Sequence, residues 1–449
     1  MQVFTISGTV LDQDGDNIDG ATITYTVPML SNVTIDVSGG EYSFTVPYNS
    51  ATLMSVQASG YNFDIPTKSF SYITEDIVQD FRGSSVLAFV GFSFGSAHFG
   101  KLFMPIPYDW HRLQVPFPFS SQFSRSSDFS ENNLIVGADQ EAYIFKRDGQ
   151  PNPEAYEALL TPDVPIPGSN FGSKVAILGE YAFVSAPYEN INGREKSGAV
   201  YVFKKDANGS WSQKQKIVDV NAGGGADKNY FGFSISAHGD YLVIGSPGAY
   251  NYSGKRTGAV FAFKLQAETW TQLVKILPWD NLDTNGNFGN SVCLFGDELI
   301  VGAPHTSSVY IFKKNGDYDW PLEKKYTGEE GSSFGHSVAM SGDNAIVGSP
   351  YAFNYPMGTD TGAIYVFSKS DNSWNSEGIK LYSDTPAENY AFGKQVDISG
   401  DYMICNEGYH IIDFNSAYIF RRNSQGIWQQ QKKIPMSYSG VAISDGSTW

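Results

Sequence analysis

Catalytic or metal chemistry in a chain of 449 residues would show first in its histidines, cysteines and clustered carboxylates. Here those residues are scattered. The six histidines, His98, His111, His238, His305, His336 and His410, form no HExxH pair that would present two imidazoles to a metal. His336 stands where parallel segments carry Ser173, Phe233, Asn290 and Lys394, so nothing at that position demands an imidazole. Cys293 and Cys405 lie in apolar, strand-like runs and read as buried free thiols acting as small hydrophobes. Without a CxxC or a set of paired cysteines they leave the redox compartment open. Asp12, Asp14, Asp16 and Asp19 crowd one turn as a calcium loop would, but they lack the closing bidentate Glu of an EF-hand and are flanked by strands. A solvated hairpin turn is the simpler reading. Asp280, Asp283, Asn285 and Asn287 could hold a cation, yet Asn-Gly turn chemistry accounts for them more cheaply. No P-loop or nucleophile elbow occurs. Asp128 and Asp397 stand apart, because each replaces a small residue at one position of a recurring segment. Two carboxylates lining one channel could do acid–base chemistry on a polysaccharide. A hydrogen-bonded structural Asp is the plainer alternative. The expectation from these residues is no catalytic residue, no metal and no cofactor.

The recurring segment decides the architecture. Five stretches align without a gap: Phe171-Gly to Pro187, Phe231-Gly to Pro247, Phe288-Gly to Pro304, Phe334-Gly to Pro350, and Phe392-Gly to Asn406. Each opens on Phe-Gly, and the first four reach a Gly-Ala-Pro-like stop at the same offset. A motif returning every ~45–60 residues signals stacked units that cannot bury their apolar faces alone. Within one unit, Phe231-Gly-Phe-Ser-Ile-Ser-Ala reads as a strand, His238-Gly-Asp as a turn and Tyr241-Leu-Val-Ile-Gly as a second strand. Gly258-Ala-Val-Phe-Ala-Phe and Trp270-Thr-Gln-Leu-Val-Lys-Ile supply the third and fourth. Four antiparallel strands per unit, with no helical period, mark a propeller blade.

A worn sixth copy begins at Phe123, and Gly440-Val-Ala-Ile-Ser444 copies a first strand at the C-terminal end. Its missing partners read as Leu87–Gly91, Gly100–Met104 and Trp110–Val115. The expected fold is therefore all-β: a β-sandwich over residues 1–82, then a seven-bladed β-propeller over 83–449 closed by the C-terminal strand. Six blades, with 86–122 as an insertion, is the alternative. The Phe-Gly and Gly-Ala-Pro ends, with strands such as Gly198-Ala-Val-Tyr-Val-Phe203, resemble FG-GAP repeats of integrin-α-like propellers. That resemblance implies a ligand-binding or adhesive scaffold, often without catalysis. Some blades of that family carry an Asp-rich calcium loop between the first two strands. Here the equivalent stretches are short turns, Ser399-Gly-Asp-Tyr402, Ser341-Gly-Asp-Asn344 and Gly296-Asp-Glu298, with too few oxygens for calcium. The order Ser7-Gly-Thr-Val, Asp14-Gly, Gly20-Ala-Thr-Ile, Tyr42-Ser-Phe-Thr-Val-Pro47 and Ala58-Ser-Gly-Tyr61 resembles carboxypeptidase-regulatory-like, Ig-like modules. Such modules imply attachment or spacing, and so an assembly partner.

The net charge of -17 repels phosphate backbones and anionic lipid, which disfavours nucleic acid and membrane surfaces as partners. No run is long enough to insert into a membrane. No leader precedes the strand-like Gln2–Ile6, so either a leader was removed or the protein leaves its cell by another route, as within a virus particle; the expectation is the cell exterior, a bacterial surface or a virion. The loops between second and third strands are long in three units and rich in Tyr and Asn, which supply rigid amphipathic area and adaptable hydrogen bonds. They make Tyr188, Asn190, Tyr250, Tyr252, Tyr351, Phe353 and Tyr355 the candidate contact residues for a protein or glycan. A non-enzymatic recognition protein is the expectation, with a polysaccharide-acting propeller enzyme as the alternative.

Overall fold

The computed structural model describes residues 3–12, 17–18, 21–26, 33–37, 39–47, 52–57, 61–63, 67–70, 76–79, 81–85, 87–94, 97–106, 109–116, 126–130, 133–146, 156–219, 227–278, 286–354, 359–384, 391–408, 415–423, 425–436 and 441–444. Two compact units emerge. One comprises Met1–Ala88, Leu102–Leu113 and Ser444–Thr448, the other Phe89–Lys101, Gln114–Ile443 and Trp449.

In the first unit, alternating strands form two sheets. One has the order Glu41–Pro47, Val3–Asp12, Phe81–Ser85, Tyr61–Phe63, with Ile77–Val78 also on Val3–Asp12. The other runs Val33–Asp36, Thr22–Thr26, Thr52–Gln57, Thr67–Phe70. Period-2 alternation sends Ile6, Val10, Phe44 and Val46 of one sheet and Ile23, Met54 and Val56 of the other into one buried core. Tyr25 and Phe44 stack across it with ring centroids 3.7 Å apart. Asp14, Asp16 and Asp19 of the acidic turn lie outside the described residues.

Among the described residues eight sheets remain: a two-stranded one, Phe353–Asn354 with Thr359–Asp360, and seven blades, six of them in sequential antiparallel order and one shared between chain ends. We number the blades by their innermost strands: blade 1, Ser126–Phe129; blade 2, Val175–Leu178; blade 3, Ser234–His238; blade 4, Ser291–Phe295; blade 5, Ser337–Ser341; blade 6, Val396–Ser399. Blade 7 has the order Asp109–Pro116, Ala97–Ile106, Leu87–Phe94, Val441–Ser444, so the tail strand is its innermost member. The fold is the expected seven-bladed propeller, and the six-blade alternative falls. Innermost strands of consecutive blades 1 to 6 pack against one another around the axis. Blade 5 departs from the pattern, since its outermost strand is split into Ser373–Trp374 and Ile379–Leu381.

The repeat motif has a steric cause. Each motif Phe (Phe171, Phe231, Phe288, Phe334, Phe392) is at most 1% exposed. Each meets the third-strand ring of its own blade edge-on, with centroids 5.0–5.3 Å apart. The following Gly takes φ of 84–89°, and its N–H donates to the second-strand carbonyl, as from Gly289 to Gly302 at 3.1 Å. The second-strand Gly must also lack a side chain. A Cβ on Gly245 would lie 2.1 Å from the Gly289 carbonyl of the next blade, and one on Gly302 2.0 Å from that of Gly335. Phe-Gly and Gly-Ala-Pro are thus two halves of one blade-to-blade contact. The turns between the first two strands are two-residue hairpins, as expected, with Gly179, Gly239, Gly296, Gly342 and Gly400 at φ of 53–56°.

Candidate functional site

The Phe-Gly starts of the first strands, the Gly-Ala-Pro ends of the second and the long loops after them lie at one end of each blade. A recurring stack braces that end. On the outermost strands Lys216, Lys275, Lys325, Lys380 and Lys433 sit directly opposite Tyr201, Phe261, Tyr310, Tyr365 and Tyr418. Their ammonium groups lie 5.0–5.4 Å from those ring centroids. Three of these stacks also hold a glutamate. The wholly buried Glu189 takes Lys216 and accepts from the Tyr201 hydroxyl at 2.9 Å. Glu329 pairs with Lys380 at 2.7 Å, and buried Glu407 with Lys433 at 3.3 Å. Burial and the Glu189 carboxylate push the Tyr201 hydroxyl well above the usual phenol range. These groups hold the loop bases, with Glu189 and Glu407 buried and Lys216, Glu329 and Lys433 about one-third exposed.

The sequence-expected contact residues divide on this scaffold. Asn190 is exposed, but its Oδ1 accepts from the Lys196 N–H at 2.8 Å and so closes its own loop. Tyr250 lies under the Arg256 guanidinium at 5.3 Å, and its carbonyl accepts from Lys275 at 2.7 Å. Tyr252 is 83% exposed with Lys275 5.9 Å from its ring. Tyr351 is 39% exposed. Phe353 is half-buried in a two-strand loop tied to Glu329 and Lys380. Tyr355 lies outside the described residues. Tyr188 is half-buried beside Lys196 and opens a strip that the sequence did not announce. Its ring meets Tyr230 edge-on at 5.6 Å, and Tyr230 meets Phe233 at 6.4 Å. All three keep solvent access. Phe233 is the second residue after its motif Phe, at the axial start of blade 3, so the strip runs from a loop to the channel mouth. Tyr230 and Phe233 were missed because each looks like blade packing in the linear sequence. The clue was Phe233 itself, the single aromatic among Ser173, Phe233, Asn290, His336 and Lys394 at one repeat position.

Midway along the first strands the repeat position reads Asp128, Ala176, Ser236, Cys293, Ala339 and Asp397. Polar members staple neighbouring blades. Asp128 Oδ2 accepts from Ile177 N at 2.9 Å, Ser236 Oγ from Leu294 N at 3.0 Å and Cys293 Sγ from Met340 N at 3.3 Å. Burial, opposed by that backbone bond and reinforced by Asp397, raises Asp128 to about 7. Cys293 is half-buried, not fully buried as expected, and burial raises its thiol to about 12; Cys405 is buried. Cys293 is thus an inert acceptor and not a nucleophile. No cluster of three metal-ligating side chains occurs among the described residues.

Residues 155–203, 211–263 and 326–367 match the FG-GAP repeat. No curated protein matches the chain. Among solved structures, a Bacteroides fragilis protein provisionally named a 6-phosphogluconolactonase aligns with TM-score 0.53 at 10% identity, over 80% of this chain and 97% of that one. A Lactobacillus plantarum protein aligns with TM-score 0.51 at 12% identity, over 80% and 98%. At such identities the likeness is one of fold. It corrects the expectation that the chain is not an enzyme, because a propeller carrying an enzyme's name has this architecture over nearly its whole length. The fold gives no ground for setting catalysis aside.

Proposed function

We propose that the propeller recognises a glycan through the face that carries its long loops. The observation behind this reading is the partly exposed strip Tyr188–Tyr230–Phe233, with Tyr252 standing free nearby in sequence on the next blade's loop. Sugar rings stack their C–H faces on such aromatic planes, and the braced loop bases lower the entropy lost on binding. The sandwich unit would serve attachment or spacing, on a virion or a bacterial surface. The test is a glycan array with wild type and a Tyr188→Ala/Tyr230→Ala/Tyr252→Ala variant. Loss of signal by about tenfold or more is expected. Undiminished binding to the same glycans would discard this face.

A second reading has its own observation. Asp128, held near neutrality with the Asp397 charge opposing its ionisation, has the form of a general acid beside a carboxylate. Turnover of polysaccharides that vanishes in Asp128→Asn would establish it, and turnover unaffected by that change would remove it.

A further inference from the structure

The mouth of the axial channel carries two lysines, with a neutral imidazole between them, that have no counter-charge among the described residues. Lys174 of blade 2, His336 of blade 5 and Lys394 of blade 6 stand two or three residues after their motif Phe. Blades 2 and 5 are not neighbours, so the Lys174 charge acts on His336 across the axial opening. Burial, with the two ammonium charges adding to it, depresses His336 to about 4. Lys174 keeps some solvent access, yet protein surrounds it enough that burial lowers its basicity. No hydrogen bond or ion pair engages Lys174 Nζ, the His336 ring nitrogens or Lys394 Nζ among the described residues. This contrasts with the lysines of the loop bases and hairpins. Lys205, Lys369 and Lys380 each end on a carboxylate 2.5–2.7 Å away.

Lys174 also displaces a structural bond. Its repeat position is Ser in blades 3, 4 and 5, where Ser234, Ser291 and Ser337 donate to the next blade's motif-Gly carbonyl at 2.8–3.1 Å. Blade 2 forgoes that staple for a cation with no partner among the described residues. In a chain of net charge -17, desolvating Lys174 with no partner among the described residues is costly unless something anionic completes it.

We propose that this mouth binds the acid group of an acidic sugar, a carboxylate or a sulfate, gripped by Lys174, Lys394 and His336. The class of ligand rests on the glycan reading above: Phe233 brings the aromatic strip to the same mouth, so one ligand can stack on the rings and end its charge among the cations. Two lysines supply charge-assisted donors, and the imidazole adds an N–H donor on a third side.

Calorimetry on the full chain with glucuronate, glucose and inorganic sulfate tests this. Wild type is expected to bind glucuronate about tenfold or more tightly than glucose. Lys174→Met/Lys394→Met should erase that preference, whereas Tyr188→Ala/Tyr230→Ala should weaken both sugars alike. Lys174→Met should in addition raise the melting temperature, because it removes an unpaired charge; a variant that failed through misfolding would lower it. Equal binding of the two sugars, or a preference that survives in the lysine variant, overturns the acid site and leaves the aromatic reading standing. Lysine-dependent sulfate binding with no binding of either sugar overturns the sugar assignment together with the aromatic reading. Stronger binding of an acidic peptide than of glucuronate would give the mouth to a protein and overturn the proposal as well. Sulfate stays ionised throughout, so its affinity should rise as pH falls toward about 4, where the unliganded His336 takes up its proton, and His336→Gln should flatten that dependence.

Discussion

Asp128 and His336, both at the axial strands, respond to pH in opposite directions. Desolvation raises Asp128 to about 7 in the folded chain, so the native state holds a proton that the unfolded chain has already released. Its contribution to stability is complete below the ordinary carboxylate range and drains away as pH rises through about 7. Asp128→Asn keeps an acceptor for Ile177 N and removes the titration. We expect the variant to match wild type in urea unfolding near pH ~4 and to exceed it near pH ~8 by up to a few kcal/mol. A pH-independent difference would show that Asp128 is ionised throughout. His336, depressed to about 4, disfavours the proton in the fold, so the unliganded protein loses stability as pH falls from the ordinary histidine value toward 4. The sequence marked Asp128 and Asp397 by their odd position in the repeat. It passed over Lys174 and His336, since variability at a repeat position says only that the position is free to vary, not which side chains converge there.

The blade is held by contacts that are local in the repeat and long-range in the chain. Fully burying a motif Phe is worth roughly 1.5–3 kcal/mol, and each also positions the Gly whose carbonyl the preceding blade approaches. Glycines at the two kinds of site should therefore respond differently to a methyl group. Gly245→Ala puts a Cβ 2.1 Å from a neighbouring blade's backbone and is expected to cost more than about 2 kcal/mol. Gly239→Ala meets no atom within 4 Å and pays only its positive φ of 56°, about 1 kcal/mol. Chemical denaturation of the two variants measures the contrast, and equal losses would refute the interlock. Register shifts recur at one position in blades 2, 3, 4 and 6, as between Val202 and Phe203 and between Ala262 and Phe263. Such bulges add twist to the outer part of each blade. The Lys-on-ring stacks lie just beyond them, where the sequence showed only a half-polar edge strand.

Across the whole molecule, the sheet shared by Leu87–Phe94 and Val441–Ser444 joins segments about as far apart as the propeller sequence allows. Deleting residues 437–449 should leave Leu87–Phe94 with an unpaired edge. We expect a lower melting temperature, loss of a single cooperative transition and concentration-dependent aggregation, read by calorimetry and light scattering. A deletion that melts like wild type would mean the tail strand adds nothing to closure. Strand count, blade count and the split blade were readable in the sequence because they follow from period-2 patterning and from a motif that recurs with its steric demands intact. The seven candidate contact residues were chosen on loop length and Tyr and Asn content, and the structure places them differently: Asn190 closes its own loop and Tyr250 is covered, while Tyr252 is exposed. The aromatic strip and the grouping of Lys174, His336 and Lys394 became visible only in three dimensions. They depend on which first strands look across a common axis, and that proximity joins residues about 160 positions apart, as Lys174 and His336 are, through the curvature of the closed ring, which no local pattern encodes.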